Sequence, residues 1–219
     1  MNLDLVLPAP LNPPFPERAR VADLGRVHFV GVGGAGMSAI ALLMAQLGVP
    51  VSGSDRAESA NLQSLRQAGV RVSVPQDAVN IHDVDTVVIS TAIHEDNPEL
   101  AKARELGLPV LHRSEALAAV MGDSQVVAVA GTHGKSTTSS MISVMFDGLN
   151  AKPSFAVGTV IAGFGTNARL GATGPGSWFV AEADESDGSF VRYRPKVAVV
   201  TNIEPDHMDT YGGDFEKMK

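Results

Sequence analysis

The sequence predicts an α/β protein built on parallel β-sheets, and two features indicate this fold class. Short runs of β-branched and small apolar residues alternate with longer segments whose apolar residues recur at helical spacing. At residues 26–47 and 125–150, such a run passes through a glycine-rich turn directly into a helix. A buried strand, a glycine turn and a helix form the repeating unit of open parallel sheets.

The chain begins with a proline-rich segment. Residues 1–20 contain five prolines and show no hydrophobic periodicity, so we expect an extended, flexible tail. The rest divides into two predicted domains, 21–121 and 122–219, at the Gly122-Asp123 break. Each domain is long enough to bury a core of its own.

The first predicted domain opens with a strand at 27–32 and a helix at 37–47, joined by the pattern G-x-G-x-x-G from Gly31 to Gly36. A second strand at 49–52 leads to Asp55, where a Rossmann-like fold places its ribose-binding carboxylate. The pattern predicts a site for a nucleotide diphosphate at the helix N-terminus and leaves the nucleotide open, a nicotinamide or flavin dinucleotide included.

Further strands and helices alternate through the first domain: strands are predicted at 70–74, 86–90 and 110–111, and helices at 59–68, 97–106 and 114–121. We expect Ser114 to cap the last of these helices. Ser90, Thr91 and Ala92 follow a strand, at the sheet edge where open α/β sheets bind ligands. Four histidines without a paired ligand are interpreted as core or surface residues: His28, His82, His94 and His112.

The second predicted domain opens with a strand at 126–130, a turn at 131–134 and a helix that starts at Lys135-Ser136 and runs to Asn150. This is the build of a P-loop, in which backbone N–H groups and a lysine bind phosphates and a hydroxyl binds Mg²⁺. The general pattern has a glycine where this chain has Val129. The alternative is an ordinary strand–helix turn with a surface lysine. The predicted apolar face of the helix comprises Met141, Ile142, Met145 and Leu149.

Acidic residues follow two later strands of this domain. A strand at 177–181 leads into Glu182, and a strand at 197–201 leads into a segment with Glu204, Asp206, His207 and Asp209. A carboxylate at the ligand edge beside a phosphate-binding loop suits Mg²⁺, while His207 as a ligand would favour Mn²⁺. Surface acids remain the alternative for Asp206 and Asp209. Between the helix that ends at Asn150 and the strand at 177–181, we predict a loop rich in hydrogen-bond donors that contains Asn167 and Arg169.

Composition excludes several classes of function. A formal charge of -7 without a basic stripe argues against nucleic acid, and the absence of cysteine excludes disulfides and thiolate chemistry. No apolar run reaches the ~18 residues of a membrane span. The N-terminus lacks the basic start of a signal peptide. We therefore expect a cytoplasmic protein without membrane insertion.

Four motifs together resemble the Mur ligase family of bacterial peptidoglycan synthesis: GVGGAGMSAIA, AGTHGKSTT, EADESDGSF and TNIEPDHMDTY. The resemblance runs from about Arg26 to the last residue and accounts for Val129, because these ligases use a shorter G-T-x-G-K-[ST] loop. It implies a Rossmann-like UDP-binding domain followed by the first part of a P-loop-type ATPase domain. Because the family's enzymes have a third, C-terminal domain, the resemblance also implies that the chain is a truncated piece, inactive alone.

The resemblance further implies that the enzyme uses ATP to join L-alanine to the lactyl carboxylate of UDP-N-acetylmuramate. It also implies a bacterial protein that is a monomer or a weak homodimer. The implied catalytic residues are Lys135, Glu182 and His207, and Ser136, Glu182 and His207 are implied to bind Mg²⁺ or Mn²⁺. ATP would contact Gly131, Thr132, His133, Gly134, Lys135, Ser136 and Thr137. The UDP-sugar would contact Gly33, Gly34, Ala35, Gly36, Asp55, Ser90, Thr91, Ala92, Asn167 and Arg169. The alternatives are a ligase that recycles a peptide onto the same sugar, an NAD-dependent dehydrogenase and a non-enzymatic nucleotide-binding module.

Overall fold

The computed structural model describes residues 19–184, 192–206 and 212–218. The chain forms two compact units. We call residues 18–122 together with 158–170 the N-terminal unit, and residues 123–157 together with 171–219 the central unit. In the described ranges, no helix combines the length and the apolar character that crossing a membrane requires.

The N-terminal unit is built on a five-stranded sheet of order β3-β2-β1-β4-β5 in which all described pairs are parallel. Its strands are β1 Val27–Val30, β2 Val51–Ser54, β3 Arg71–Ser73, β4 Thr86–Ile89 and β5 Val110–His112. Its helices are α1 Ala35–Gln46, α2 Ala60–Gln67, α3 Pro98–Glu105 and α4 Arg113–Met121, with short 3₁₀ turns at Val21–Asp23 and Ala78–Asn80.

Strand β1 lies at the centre of this sheet, and all four of its residues are buried. A strand covered on both faces needs a continuous apolar run, and Val27, Phe29 and Val30 are fully buried here. The neighbours of β1 are β2 and β4. The carboxyl ends of these three strands therefore form the middle of one sheet edge.

Two local predictions for this unit were wrong. Strand β2 begins at Val51 and not at residue 49, since Pro50 has no N–H to donate to a sheet ladder. The N-cap of α4 is His112 and not Ser114. The His112 ring accepts from the Ser114 N–H at 3.3 Å, and Glu115 accepts from the His112 N–H at 2.8 Å, so the pair forms a capping box.

A second five-stranded sheet has the order β10-β6-β9-β7-β8, and residues 158–170 of β7 and β8 belong to the N-terminal unit. The elements of this second part of the chain are β6 Gln125–Ala130, α5 Lys135–Gly148, β7 Ser154–Ile161, β8 Thr166–Arg169, β9 Trp178–Glu182, β10 Val197–Val200 and α6 Phe215–Met218. Strand β6 pairs in parallel with β9 on one side and with β10 on the other. The turn after β6 is therefore flanked by the carboxyl ends of two later strands.

Asn167 and Arg169 lie in strand β8, which follows β7, and not in the loop predicted from the sequence. The loop prediction was therefore wrong. The short connection at 162–165 permits only antiparallel pairing, so the two strands form a hairpin. Residues 158–170 of this hairpin belong to the N-terminal unit, where the Leu170 N–H donates to the side-chain oxygen of Gln46 at 2.9 Å. Strand β8 packs against α1.

Helix α5 forms as predicted, but its apolar residues do not face the sheet. Ser139 and Ser143 are fully buried, whereas Met141, Met145 and Leu149 are 59%, 60% and 76% exposed. Small side chains on the buried face allow α5 to lie close to β9. The helix predicted from this spacing is thus confirmed, while three of the four apolar residues that mark the spacing are exposed.

Candidate functional site

The turn between β6 and α5, which we call the central loop (residues 131–134), depends on two glycines. Gly134 is the N-cap of α5 and has a left-handed φ of 83°. Gly131 has a φ of 127°, and a Cβ placed there would lie 2.1 Å from Oγ1 of Thr201. A side chain at either position would therefore force the loop out of this conformation.

The segment after β10 holds the central loop through its backbone. The Asn202 side chain accepts from the His133 N–H at 2.9 Å and donates to the His133 carbonyl at 2.9 Å. The Thr201 hydroxyl donates to the same carbonyl at 2.6 Å, and the Thr132 hydroxyl accepts from the Glu204 N–H at 2.9 Å. Thr201 and Asn202 were not assigned to the site from the sequence. Their position directly after a strand that neighbours β6 was the available signal.

Lys135 begins α5 and folds back over the central loop. Its ammonium donates to the Gly131 carbonyl at 2.6 Å and lies 3.4 Å from the Thr132 carbonyl. Ser136 follows it and is half-buried, while Thr137 is exposed. The arrangement places one positive charge and the first N–H groups of a helix around the same turn, which is the chemistry that binds phosphate.

Glu182 is the last residue of β9 and is half-buried. It is in register with Val129 of β6, and the following Ala183 N–H donates to the Val129 carbonyl at 2.9 Å. The strand that carries Glu182 therefore ends beside the strand that leads into the central loop. His207, the imidazole expected at this edge, lies outside the described residues, as does Asp209.

The donor set at this edge suits Mg²⁺. Ser136 contributes a hydroxyl and Glu182 a carboxylate, and Mg²⁺ is commonly held by one or two protein oxygens while phosphates and water supply the rest. Within ranges 19–184, 192–206 and 212–218, no group of three histidine, aspartate or glutamate side chains could bind a metal by itself. The residues thus fit a magnesium ion that is shared with a phosphate ligand.

The N-terminal unit carries the second glycine turn, which we call the N-terminal loop (residues 31–34). The end of β2 binds its backbone, because the Ser54 carbonyl accepts from the N–H groups of Gly31 at 2.9 Å and Val32 at 2.8 Å. The Gly33 N–H donates to Oδ2 of Asp55 at 2.7 Å. A Cβ at Gly33 would lie 2.7 Å from that oxygen, so any larger residue would displace the Asp55 carboxylate from this contact.

Both oxygens of Asp55 bind backbone N–H groups in this structure. Oδ2 accepts from Gly33 and Oδ1 accepts from Arg56 at 2.7 Å. Asp55 was predicted to contact the UDP-sugar, and in the structure its carboxylate holds the N-terminal loop. Asn61, which was not singled out in the sequence, donates to the Gly33 carbonyl at 2.7 Å.

The N-terminus of α1 is exposed and contacts a side chain of β8. Its N-cap, Gly34, has no side chain that could cap the helix, and Gly34, Ala35 and Gly36 are exposed. The Asn167 side chain of β8 donates to the Ala35 carbonyl at 3.3 Å. Arg169 instead lies over the ring of Phe164, with its guanidinium carbon 4.2 Å from the ring centroid.

The turn after β4 lies next to the N-terminal loop. A Cβ at Gly31 would be 3.2 Å from the Ile93 side chain. Thr91 and Ala92 are exposed, and the Ser90 carbonyl accepts from the Ile93 N–H at 3.0 Å. The segments that carry Gly33, Asp55, Ser90 and Asn167, which were predicted to bind one ligand, thus lie around the N-terminal loop and the start of α1. A Cβ added at Gly36 would lie 3.4 Å from the Arg113 guanidinium.

Mostly parallel sheets, with a glycine turn leading from an inner strand into a helix, define an α/β protein of the class that binds phosphorylated ligands at the carboxyl edge. Residues 26–125 match the family model described as Mur ligase family, catalytic domain, and residues 129–219 match the Mur ligase middle domain. The chain belongs to the Mur ligase family. The resemblance inferred from the four motifs is confirmed, as is the expected fold class.

Curated relatives share more than half of the aligned residues with this chain. A UDP-N-acetylmuramate–L-alanine ligase from Paenarthrobacter aurescens is 57% identical over 194 residues, which cover 89% of this chain and 42% of the relative. The ligase of the same name from Renibacterium salmoninarum is 60% identical over 190 residues, which cover 87% of this chain and 40% of that relative. The chain therefore spans about two fifths of the length of these relatives.

Solved structures of this family share the fold. UDP-N-acetylmuramate-alanine ligase MurC from Thermotoga maritima superposes with a TM-score of 0.81 at 33% identity, covering 88% of this chain and 45% of that chain. The UDP-N-acetylmuramate:L-alanyl-gamma-D-glutamyl-meso-diaminopimelate ligase from Neisseria meningitides has a TM-score of 0.82 at 31% identity, covering 89% and 65%. Fold similarity alone does not separate these two kinds of ligase.

Proposed function

We propose that this chain is part of an ATP-dependent ligase that joins L-alanine to UDP-N-acetylmuramate in bacterial peptidoglycan synthesis. The N-terminal unit would be the UDP-sugar-binding domain, and the central unit the first part of the ATP-binding domain. Relatives named for this reaction are 57% and 60% identical to the chain, which supports the choice of alanine. Because ATP is a substrate, we place the reaction in the cytoplasm.

The reaction must convert a poor acyl donor into a reactive one. An oxygen of the lactyl carboxylate attacks the γ-phosphorus of ATP, the bond to the β–γ bridging oxygen breaks, and ADP leaves. The neutral amine of L-alanine then attacks the acyl carbon to give a tetrahedral intermediate, which expels inorganic phosphate and loses a proton to form the amide. Both steps build up negative charge on oxygen, so positioning and charge stabilisation provide most of the catalysis.

The central loop supplies that stabilisation for the phosphates. Its backbone N–H groups and those of the first turn of α5 would bind the β- and γ-phosphates. The Lys135 ammonium would exchange its contacts with the Gly131 and Thr132 carbonyls for phosphate oxygens. Ser136 and Glu182, with His207 as a further ligand, would hold Mg²⁺, which supplies charge neutralisation when bound.

The N-terminal loop would bind the UDP-sugar. Its diphosphate would contact the backbone of Gly33, Gly34, Ala35 and Gly36 at the start of α1, where the N-cap Gly34 has no capping side chain of its own. Ser90, Thr91 and Ala92 would line the uridine side. Asp55 would act mainly by holding Gly33, and Asn167 by its contact at Ala35.

One observation carries this proposal: strand β6, which leads into the lysine-bearing loop, lies between β9, which ends in Glu182, and β10, whose following residues hold that loop. A dehydrogenase that used the N-terminal loop for NAD would leave this second arrangement without a role. The peptide-recycling ligase remains the second candidate, because the Neisseria enzyme of that kind superposes equally well. The two candidate ligases are separated by supplying the full-length protein with either L-alanine or the peptide L-alanyl-gamma-D-glutamyl-meso-diaminopimelate and measuring which one is joined to the sugar.

The test of the phosphate-binding assignment is Lys135→Ala in the full-length ligase. We expect kcat to fall by about two to four orders of magnitude, because one charge that stabilises the transferred phosphoryl group is lost. The affinity for UDP-N-acetylmuramate, measured by calorimetry, should not change. The control is Lys102→Ala, which removes a lysine that pairs with Glu105 on the surface of α3. Turnover of Lys135→Ala within a few-fold of the wild type would show that the assignment is wrong.

A further inference from the structure

Glu99 is a fully buried carboxylate in the N-terminal unit, with 0% of its surface exposed. It lies in the first turn of α3, directly behind the N-cap Asn97 and Pro98. A buried carboxylate is costly unless hydrogen bonds satisfy it. The role proposed above for this unit does not use Glu99, so its burial requires another explanation.

The carboxylate of Glu99 binds groups from three other segments. Oε2 accepts from the Ser54 hydroxyl at the end of β2 and lies 3.6 Å from the His28 ring on β1. Oε1 accepts from the Asn80 side chain at 2.6 Å and from the Asp77 N–H at 3.2 Å, both in the turn after β3. Burial alone would raise the pKa of Glu99, but the nearby His28 ring and the hydrogen bonds from Ser54 and Asn80 outweigh it, so the pKa lies below its usual value. This direction favours the ionised carboxylate.

Ser54 links this carboxylate to the N-terminal loop. The Ser54 side chain donates to Glu99, while its backbone carbonyl accepts from the N–H groups of Gly31 and Val32. The next residue, Asp55, accepts from the N–H of Gly33. Thus three consecutive N–H groups of the loop bind Ser54 and Asp55, and Ser54 in turn binds Glu99.

We propose that Glu99 is a positioning residue that holds the N-terminal loop in the shape that binds the UDP diphosphate; this inference rests on the function proposed above. Replacing a buried ionic network by apolar side chains often costs little stability, so stability alone does not account for Glu99. A preformed loop, in contrast, binds its ligand without a further ordering cost. Glu99 acts through Ser54 and Asp55 and does not touch the ligand.

The experiment compares Glu99→Ala with the conservative Glu99→Gln in the 219-residue chain. The dissociation constant for UDP-N-acetylmuramate is measured by calorimetry well below the melting temperature of each variant. The control is Thr86→Val, which removes another buried hydrogen bond of the same unit, from the Thr86 hydroxyl to the Leu24 carbonyl at 2.7 Å, at the amino end of β4. A merely structural role would lower the melting temperature in all variants and leave the affinity unchanged.

We expect Glu99→Ala to weaken binding by at least about tenfold, Glu99→Gln to restore it to within about threefold, and Thr86→Val to bind as the wild type does. Wild-type affinity in a folded Glu99→Ala chain would overturn the inference and leave the proposed function intact. No binding by the wild type would overturn both. Should Glu99→Ala not fold, Ser54→Ala decides: binding weakened several-fold supports the inference, and unchanged binding overturns it.

Discussion

Asn202→Ala tests how the central loop is held. The Asn202 side chain makes two hydrogen bonds to the backbone of His133, each of 2.9 Å, and the variant removes both. A hydrogen bond contributes about 1 kcal/mol net, so the loss is about 2 kcal/mol at most. Asn202 is half-buried, and water will replace part of this loss. If loop order supports ATP binding, the change corresponds to roughly 5- to 30-fold in kcat/KM for ATP.

The assay is steady-state turnover of the full-length ligase at varied ATP and, separately, at varied UDP-N-acetylmuramate. Asn202→Ala should lower kcat/KM for ATP and leave kcat/KM for UDP-N-acetylmuramate unchanged. The matched variant is Asn61→Ala, which removes the side-chain hydrogen bond to Gly33 in the N-terminal loop and should change only the UDP-sugar parameter. An Asn202→Ala enzyme with wild-type kcat/KM for ATP would refute the reasoning, and so would equal effects on both substrates.

Two further predictions follow from close contacts. Gly33→Ala should weaken UDP-N-acetylmuramate binding by about tenfold or more, because its Cβ would lie 2.7 Å from Asp55, whereas Gly163→Ala, with open space around the added carbon, should bind normally in calorimetry. Side-chain and backbone hydrogen bonds from Arg26 lower the pKa of Asp85 to about 2. The pKa of Asp85 in the unfolded chain is about 3.9. The Arg26–Asp85 pair therefore stabilises the folded state fully above about pH 3.9, and this contribution is lost as the pH falls towards about 2. The melting temperature of Asp85→Asn should therefore fall less steeply over this range than that of the wild type, and parallel curves would contradict the assignment.

The two strand–turn–helix segments were predicted well from the sequence because their signals are local. In both, apolar residues mark a buried strand, glycines mark the turn, and Lys135 or Gly36 stands at the helix start. The alternation of strands and helices was sufficient to predict parallel sheets. The positions at which elements begin were less predictable, as Pro50 and the His112 cap show.

The hairpin of β7 and β8 could not be predicted from local patterns. Its segment contains several glycines, which typically indicate a loop, and its pairing depends on neighbours elsewhere in the sheet. The same reason applies to Thr201 and Asn202, whose role is visible only when β10 is placed beside β6. The exposed methionines of α5 show that helical periodicity fixes which residues share a face but not what that face contacts.

The Glu99 network was also hidden in the sequence. There, Glu99 is an ordinary acid in the first turn of a helix, where it complements the helix dipole. His28 was interpreted as a core or surface histidine, and it is 1% exposed. Only the fold brings these two side chains together with Ser54 and Asn80, which are distant in the chain.

The most direct test of the proposed phosphate site is a crystal structure of the full-length ligase with Mg²⁺ and a non-hydrolysable ATP analogue. We predict the terminal phosphates on the N–H groups of the central loop, with the Lys135 ammonium moved from the Gly131 carbonyl to a phosphate oxygen and Glu182 within reach of the metal. Phosphates bound elsewhere, with Lys135 still on the Gly131 carbonyl, would contradict this prediction.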